Sequence, residues 1–191
     1  MNETINDIFV NPRTCYKFLD KEIPDQLLHK LYDLTKWGAT SFNCSPMRLK
    51  FLKSKSSKEK LSKLVSDDNV SKVLNAPVCS IIGMEVEFWR DLPKNYLRED
   101  AKQYFENDEN KSNITAFRNS SIQGGYFLKA ANALGLGTGP MSGFSNHDVD
   151  EMFFSETSIK SNFLCNLGYP DEEGYFDRAV RYKFNEIAEI L

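Results

Sequence analysis

Histidine is nearly absent: the 191 residues hold two, His29 and His147. That scarcity excludes a histidine-rich metal site and most histidine-dependent triads, whose ligands or bases are imidazoles. His29 falls inside a helical pattern, as a surface residue. None of the four cysteines (Cys15, Cys44, Cys79, Cys165) is paired at CxxC spacing. The usual zinc and dithiol signatures are therefore missing, and small reduced interior residues are the reading. No metal is expected. A charge excess is missing too: Lys+Arg number 24 against Asp+Glu 27, for a formal net charge of -3. This offers no electrostatic case for nucleic acid or an anionic membrane as partner. No stretch approaches the roughly 20 apolar residues of a membrane span. Met1–Thr14 also lacks the cationic-then-apolar layout of a secretory signal. The expectation is a cytoplasmic chain whose residues 1–191 form one domain, without internal repeats.

What is present is strong periodicity. Leu27, Leu28, Leu31, Tyr32 and Leu34 predict a helix over 24–36, with Pro24 suited to its first turn. A polar loop over 39–46 follows, then a short strand over 49–52. Ser56 with Glu59 has the spacing of a capping box before a helix carrying Leu61, Leu64 and Val65. A short helix over 68–74 leads to the apolar, β-branched run 78–84, a buried strand. Residues 85–111 mix charge with Phe88, Trp89, Tyr96, Tyr104 and Phe105, and read as a helical excursion able to serve as a lid. The longest helical pattern runs over 115–134, with Ala116, Ser120, Gly124, Phe127, Ala131 and Leu134 on one face. That small-residue face suits close approach of a partner, since Gly124 and Gly125 each cost about 1 kcal/mol relative to alanine. A last core strand is expected over 163–168, then a tail with Arg178, Arg181 and an apolar helix.

Gly135-Leu136-Gly137-Thr138-Gly139-Pro140 invites comparison with a dinucleotide fingerprint. The spacing is wrong, Pro140 occupies the third-glycine position, and a helix precedes the run where a strand is required. A flexible exit from the helix is the expectation.

Four segments together resemble the nitroreductase family. Thr138-Gly139-Pro140-Met141-Ser142-Gly143-Phe144 resembles the loop which that family lays against an isoalloxazine ring, its backbone N–H groups directed at N5 and O4. Pro12-Arg13-Thr14-Cys15-Tyr16-Lys17-Phe18 resembles the opening segment that grips the FMN phosphate and ribityl chain, with Pro12 and Tyr16 standing where basic residues are usual. Arg suits a phosphate through its planar pair of donors. Thr40-Ser41-Phe42-Asn43-Cys44-Ser45-Pro46 is similar to the loop that bonds the pyrimidine edge. Asn69 and Lys72, one helical turn apart, match an Asn-x-x-Lys pair at the N1/O2 side, where a lysine stabilises negative charge. Arg181 matches a C-terminal basic residue that returns to the phosphate, with Ala179 in place of a frequent lysine and Arg178 able to compensate.

The resemblance spans nearly the whole chain and is closest to the branch containing the malonic semialdehyde reductase of pyrimidine breakdown. Trp37-Gly38-Ala39-Thr40-Ser41 and Ala116-Phe117-Arg118-Asn119-Ser120-Ser121 carry that part of it. It implies an α+β fold, an antiparallel-rich central sheet flanked by helices, in an intertwined homodimer with FMN contacting both subunits. It implies ping-pong hydride transfer from NADPH or NADH to a small acceptor, such as malonic semialdehyde giving 3-hydroxypropanoate. The chemistry would sit at flavin N5, with no catalytic side chain. Cofactor residues would be Arg13, Thr14, Tyr16, Thr40, Ser41, Asn43, Asn69, Lys72, Pro140, Met141, Ser142, Gly143 and Arg181. Phe42, Trp89 and Arg118 would meet the substrate, Arg118 through its carboxylate, with Phe88 helping Trp89 to roof the ring. Broad reduction of nitroaromatics or quinones, and a flavin-holding protein without turnover, are the competing readings.

Overall fold

The computed structural model describes residues 5–96 and 98–191. Its main helices are α1 (Asp25–Thr35), α2 (Lys55–Ser62), α3 (Asp67–Asn75), α4 (Leu92–Asn95), α5 (Glu109–Ala133), α6 (Asn146–Phe154) and α7 (Phe184–Ile187). The strands are β1 (Met47–Leu52), β2 (Val78–Glu85), β3 (Gly137–Met141) and β4 (Ile159–Gly168). They form one sheet in the order β1-β2-β4-β3, antiparallel throughout. The class is α+β, as expected.

Chain order and spatial order differ because β4 enters between β2 and β3. The central strand β2 explains its own composition: Val78 and Ile82 face α1 and α5, whereas Cys79 and Ile81 face α2, α3 and α6. A strand covered on both faces must be apolar at successive positions, which is why 78–82 reads as an unbroken run. Ser80 is the exception. It is fully buried and its hydroxyl has no hydrogen-bond partner. Replacing Ser80 with alanine removes that unmade bond and is expected to raise unfolding stability by about 1 kcal/mol. A chemical-denaturation midpoint equal to or below wild type would contradict it.

The structure corrects several local expectations. The glycine-rich run after α5 is not a flexible exit: Gly135 turns the chain at φ 75°, and Gly137–Met141 is edge strand β3. An edge position tolerates Pro140, whose nitrogen has no proton to give to a ladder. The cap of α2 is Ser54, whose side chain accepts from Ser57 N, so Ser56 lies inside the helix. Gly124 does not meet a partner helix. A Cβ there would come within 2.6 Å of the Phe163 ring on β4, so the small-residue face lets α5 settle onto its own sheet. The opposite face of α5 exposes Ile114, Phe117, Ile122 and Tyr126.

The excursion over 85–111 has a cluster of its own, built from buried Phe88, Leu92, Ala101 and Phe105 with Cys44 and Ala116. Phe88 is 1% exposed; it is core and cannot roof a ligand. All four cysteines are buried and free. Burial pushes the Cys44 thiol up to about 11 and that of Cys79 up to about 12, far from the range of a reactive thiolate.

Candidate functional site

Two hollows hold half of the residues singled out from the sequence. The first lies beside β3 and β4. Cys15 N donates to the Thr138 carbonyl at 2.8 Å and Thr14 bridges Thr138 in parallel, so the segment 13–16 lies along the outer edge of β3. Gly139 permits this approach: a Cβ there would stand 2.6 Å from the Cys15 carbonyl oxygen. A Gly139→Ala exchange is therefore expected to push 13–16 off the edge at a cost of about 1–3 kcal/mol. Thermal melting that matches wild type would refute this account.

Thr14, Tyr16, Lys72, Pro140, Met141, Asn166 and Phe176 line the resulting cleft of about 100 Å³. Arg13 sits at its margin, donating to the Phe176 carbonyl at 2.9 Å and lying 5.0 Å from the Tyr175 ring centroid. Tyr16 stacks on Phe176 with centroids 4.3 Å apart and its hydroxyl donates to the Glu173 carbonyl.

A bonded network stands behind Lys72. Asn69 Nδ2 donates to the Gly143 carbonyl and to Ser66 Oγ, both at 3.1 Å. Lys72 Nζ donates to Asn69 Oδ1 at 3.1 Å. Asn69 thus ties the loop after Pro140 to α3 and aims the lysine at the same time. Ser66 N also donates to the Gly143 carbonyl. Ser142 is exposed, and its carbonyl accepts from Phe144 N at 3.1 Å.

The second hollow, about 370 Å³, is lined by Thr40, Ser41, Thr115, Arg118, Asn119 and Ile122 among others. Its loop is strained: Phe42, Asn43 and Ser45 have φ of 55°, 49° and 38°. Left-handed backbone at non-glycine residues costs about 1–3 kcal/mol each and persists only where surroundings hold it. Several contacts hold it here. Buried Asn119 accepts from Ser41 N at 2.8 Å, Thr40 Oγ1 accepts from Ser45 N at 3.1 Å, and Asn43 Nδ2 donates to the Asn95 carbonyl at 2.9 Å. Phe42 packs edge-on against Tyr96 and Phe105, with centroids 5.4 and 5.5 Å away. Trp89 is partly buried on the same cluster, with Lys102 Nζ 5.6 Å from its ring.

Arg118 is exposed and, among the described residues, forms no ion pair within 4.0 Å. Arg181 is not brought to either hollow by its own chain. It donates to the Ala179 and Val180 carbonyls, and every residue from Phe176 to Leu191 is exposed. Arg178 is engaged elsewhere, donating to the Val10 and Asn11 carbonyls of the N-terminal turn. Sequence reasoning missed Asn119 and Asn166. The available signal for Asn166 was a carboxamide inside the apolar run Phe163-Leu164-Cys165-Asn166-Leu167.

The chain is similar to known proteins along nearly its whole length. A protein of Burkholderia lata, provisionally named NADH dehydrogenase/NAD(P)H nitroreductase, is 46% identical over 189 residues, covering 99% of this chain and 97% of that one. One of the same provisional name from Stenotrophomonas maltophilia strain K279a is 47% identical over 186 residues, covering 97% and 95%. Among solved structures, a provisionally named nitroreductase of Exiguobacterium sibiricum in complex with FMN superposes with a TM-score of 0.87 at 16% identity, covering 100% of this chain and 98% of that one. One of Bacillus subtilis gives 0.87 at 20%, with 98% of each chain covered. The Nitroreductase family profile matches residues 11–169. With the sheet order, the paired hollows and these likenesses in agreement, the chain belongs to the nitroreductase family of oxidoreductases.

Proposed function

We propose that the protein is an FMN-dependent NAD(P)H oxidoreductase that works as a homodimer and reduces a small acceptor, malonic semialdehyde being the specific candidate. The observation that carries this reading is the Asn69–Lys72–Gly143 network, which holds Lys72 in a cleft lined also by Thr14, Tyr16, Pro140 and Met141. The donor set suits FMN: a hydroxyl and cations for phosphate and ribityl groups, free loop backbone, and one ammonium for a ring edge that gains negative charge. FMN when bound supplies a hydride carrier between a nicotinamide and the acceptor.

This chain's own residues bind and orient. Arg13 and Thr14 hold the phosphate end, and Lys72, aimed by Asn69, faces the ring edge. The backbone at Met141–Gly143 lies against the ring. The named relatives and the FMN-bound structure support the choice of cofactor and of NAD(P)H.

A cleft of about 100 Å³ is smaller than the roughly 300–1,000 Å³ of ordinary ligand sites, so one chain supplies one wall. We assign the other wall to the second hollow of a partner copy, with Thr40, Ser41 and Asn43 at the pyrimidine edge. The exposed apolar face of α5 and the exposed tail favour that dimer. Its tail has a place to go. β1 leaves one edge of the sheet unpaired, and beside it lies a groove of about 920 Å³ lined by Tyr32, Arg48, Phe51 and Lys53 among others. An open edge on one copy and an unpartnered apolar tail on another are the arrangement that strand exchange resolves. Arg181 would travel with the tail to the phosphate. Arg118, with no acidic partner among the described residues, would take an acceptor carboxylate, which is the specific support for an aldehyde acid.

The test is spectroscopic. The purified protein should be yellow, bleach with NADPH or NADH in the absence of oxygen, and recover colour with malonic semialdehyde. Recovery only with nitroaromatics or quinones would overturn the aldehyde-acid assignment alone. A yellow protein indifferent to both nicotinamides would overturn turnover and leave a flavin-holding role. A colourless protein that cannot be reconstituted with FMN would overturn the whole reading.

A further inference from the structure

Asn166 sits near the C-terminal end of β4, opposite Gly139 in the ladder, and is 2% exposed. Its Nδ2 donates to the Lys72 carbonyl at 2.9 Å, while its Oδ1 is buried without any hydrogen-bond partner. A buried acceptor left unmade costs about 1–3 kcal/mol, and its flanking residues Cys165 and Leu167 are fully apolar core. A residue kept solely to brace α3 would be wasteful here. The residue also lines the cleft, with β3 between it and Thr14 on one side and its bond to the Lys72 main chain on the other.

We propose that Asn166 is a further flavin-binding residue, its Oδ1 accepting a hydrogen bond from a ribityl hydroxyl. The inference rests on the FMN reading above. An amide oxygen only accepts, so its partner must donate. The phosphate and the ring carbonyls do not donate; the ring N3–H does, but it lies on the pyrimidine edge assigned above to the partner's loop, which leaves the ribityl hydroxyls. The span from the phosphate-end residues to Lys72 is where the chain joining phosphate to ring must run. Gly139, facing Asn166 across the ladder, puts no side chain in the way. Nδ2 meanwhile secures the main chain of the residue that carries the ring-edge cation, so one carboxamide sets the spacing of two contacts.

The experiment compares FMN affinity, read by loss of free-flavin fluorescence, with the melting temperature of the flavin-free protein. Asn166→Ala should weaken FMN binding about five- to tenfold, the size of one buried hydrogen bond. Asn166→Asp keeps the acceptor and loses the donor to Lys72, so it should recover at least half of that loss. An affinity within twofold of wild type for Asn166→Ala overturns the proposal. So does an Asn166→Asp protein that binds no better than Asn166→Ala, since the residue would then act only through Lys72. A lowered melting temperature with unchanged affinity marks a purely structural residue and also overturns it. If Asn166→Ala does not fold, Asn166→Val takes its place with the same expectations. Wild-type protein that takes up no FMN would fail the functional reading itself, a result distinct from any of these.

Discussion

Truncation after Arg178 is expected to yield a protein that sediments as a monomer and retains FMN about a hundredfold less tightly than the full chain. The removed segment carries Val180, Tyr182, Phe184, Ile187, Ile190 and Leu191, each at least 63% exposed within its own chain. Large apolar side chains release about 1.5–3 kcal/mol each when fully buried. Even partial burial of six in a partner's groove would dominate a dimer's stability. The same cut removes Arg181 and leaves Arg178 with its contacts to Val10 and Asn11. Sedimentation velocity and flavin content check both halves of the expectation. A truncated protein that stays dimeric and yellow would show that the tail neither exchanges nor reaches the phosphate.

The second large effect concerns Lys72. Its ammonium is held by Asn69 Oδ1 and, among the described residues, has no carboxylate within 4.0 Å, so its charge is not spent on a neighbour. Lys72→Met keeps most of the stem and removes the charge. If the ring edge that gains negative charge lies there, the rate of anaerobic bleaching by NADPH should fall about a hundredfold, as for loss of one preorganised donor. Lys72→Arg should recover part of it. Asn69→Ala should give a smaller loss, because the lysine keeps its charge but loses its aim. Bleaching of Lys72→Met at the wild-type rate would remove this residue from the ring edge.

Periodicity and composition revealed much of this architecture for identifiable reasons. The run 78–82 was legible because a strand covered on both faces has few polar positions, Ser80 being the exception here. The helix over 25–35 was legible because one wet face enforces a 3.6-residue repeat. Gly137–Met141 was not legible as a strand: three glycines and prolines in five residues lack β propensity. It pairs because β4 offers an edge on one side and the backbone of 13–15 needs bare glycine on the other. The site residues lay scattered, and their roles carried only through resemblance. The strained backbone at Phe42, Asn43 and Ser45 had no local signal either, being imposed by Asn119 and an aromatic cluster assembled from distant segments.

The sequence by itself determined the buried central strand, the amphipathic helix ahead of it and the scarcity of histidine. Those follow from local periodicity and from the chemistry of residue types. Only the tertiary structure decided that Gly124 serves its own sheet, that Asn69 aims Lys72 while pinning Gly143, and that Asn166 is left with an unmade bond. Such facts depend on contacts between segments tens of residues apart, and hydrogen-bond satisfaction is a property of the packed interior rather than of any stretch of chain.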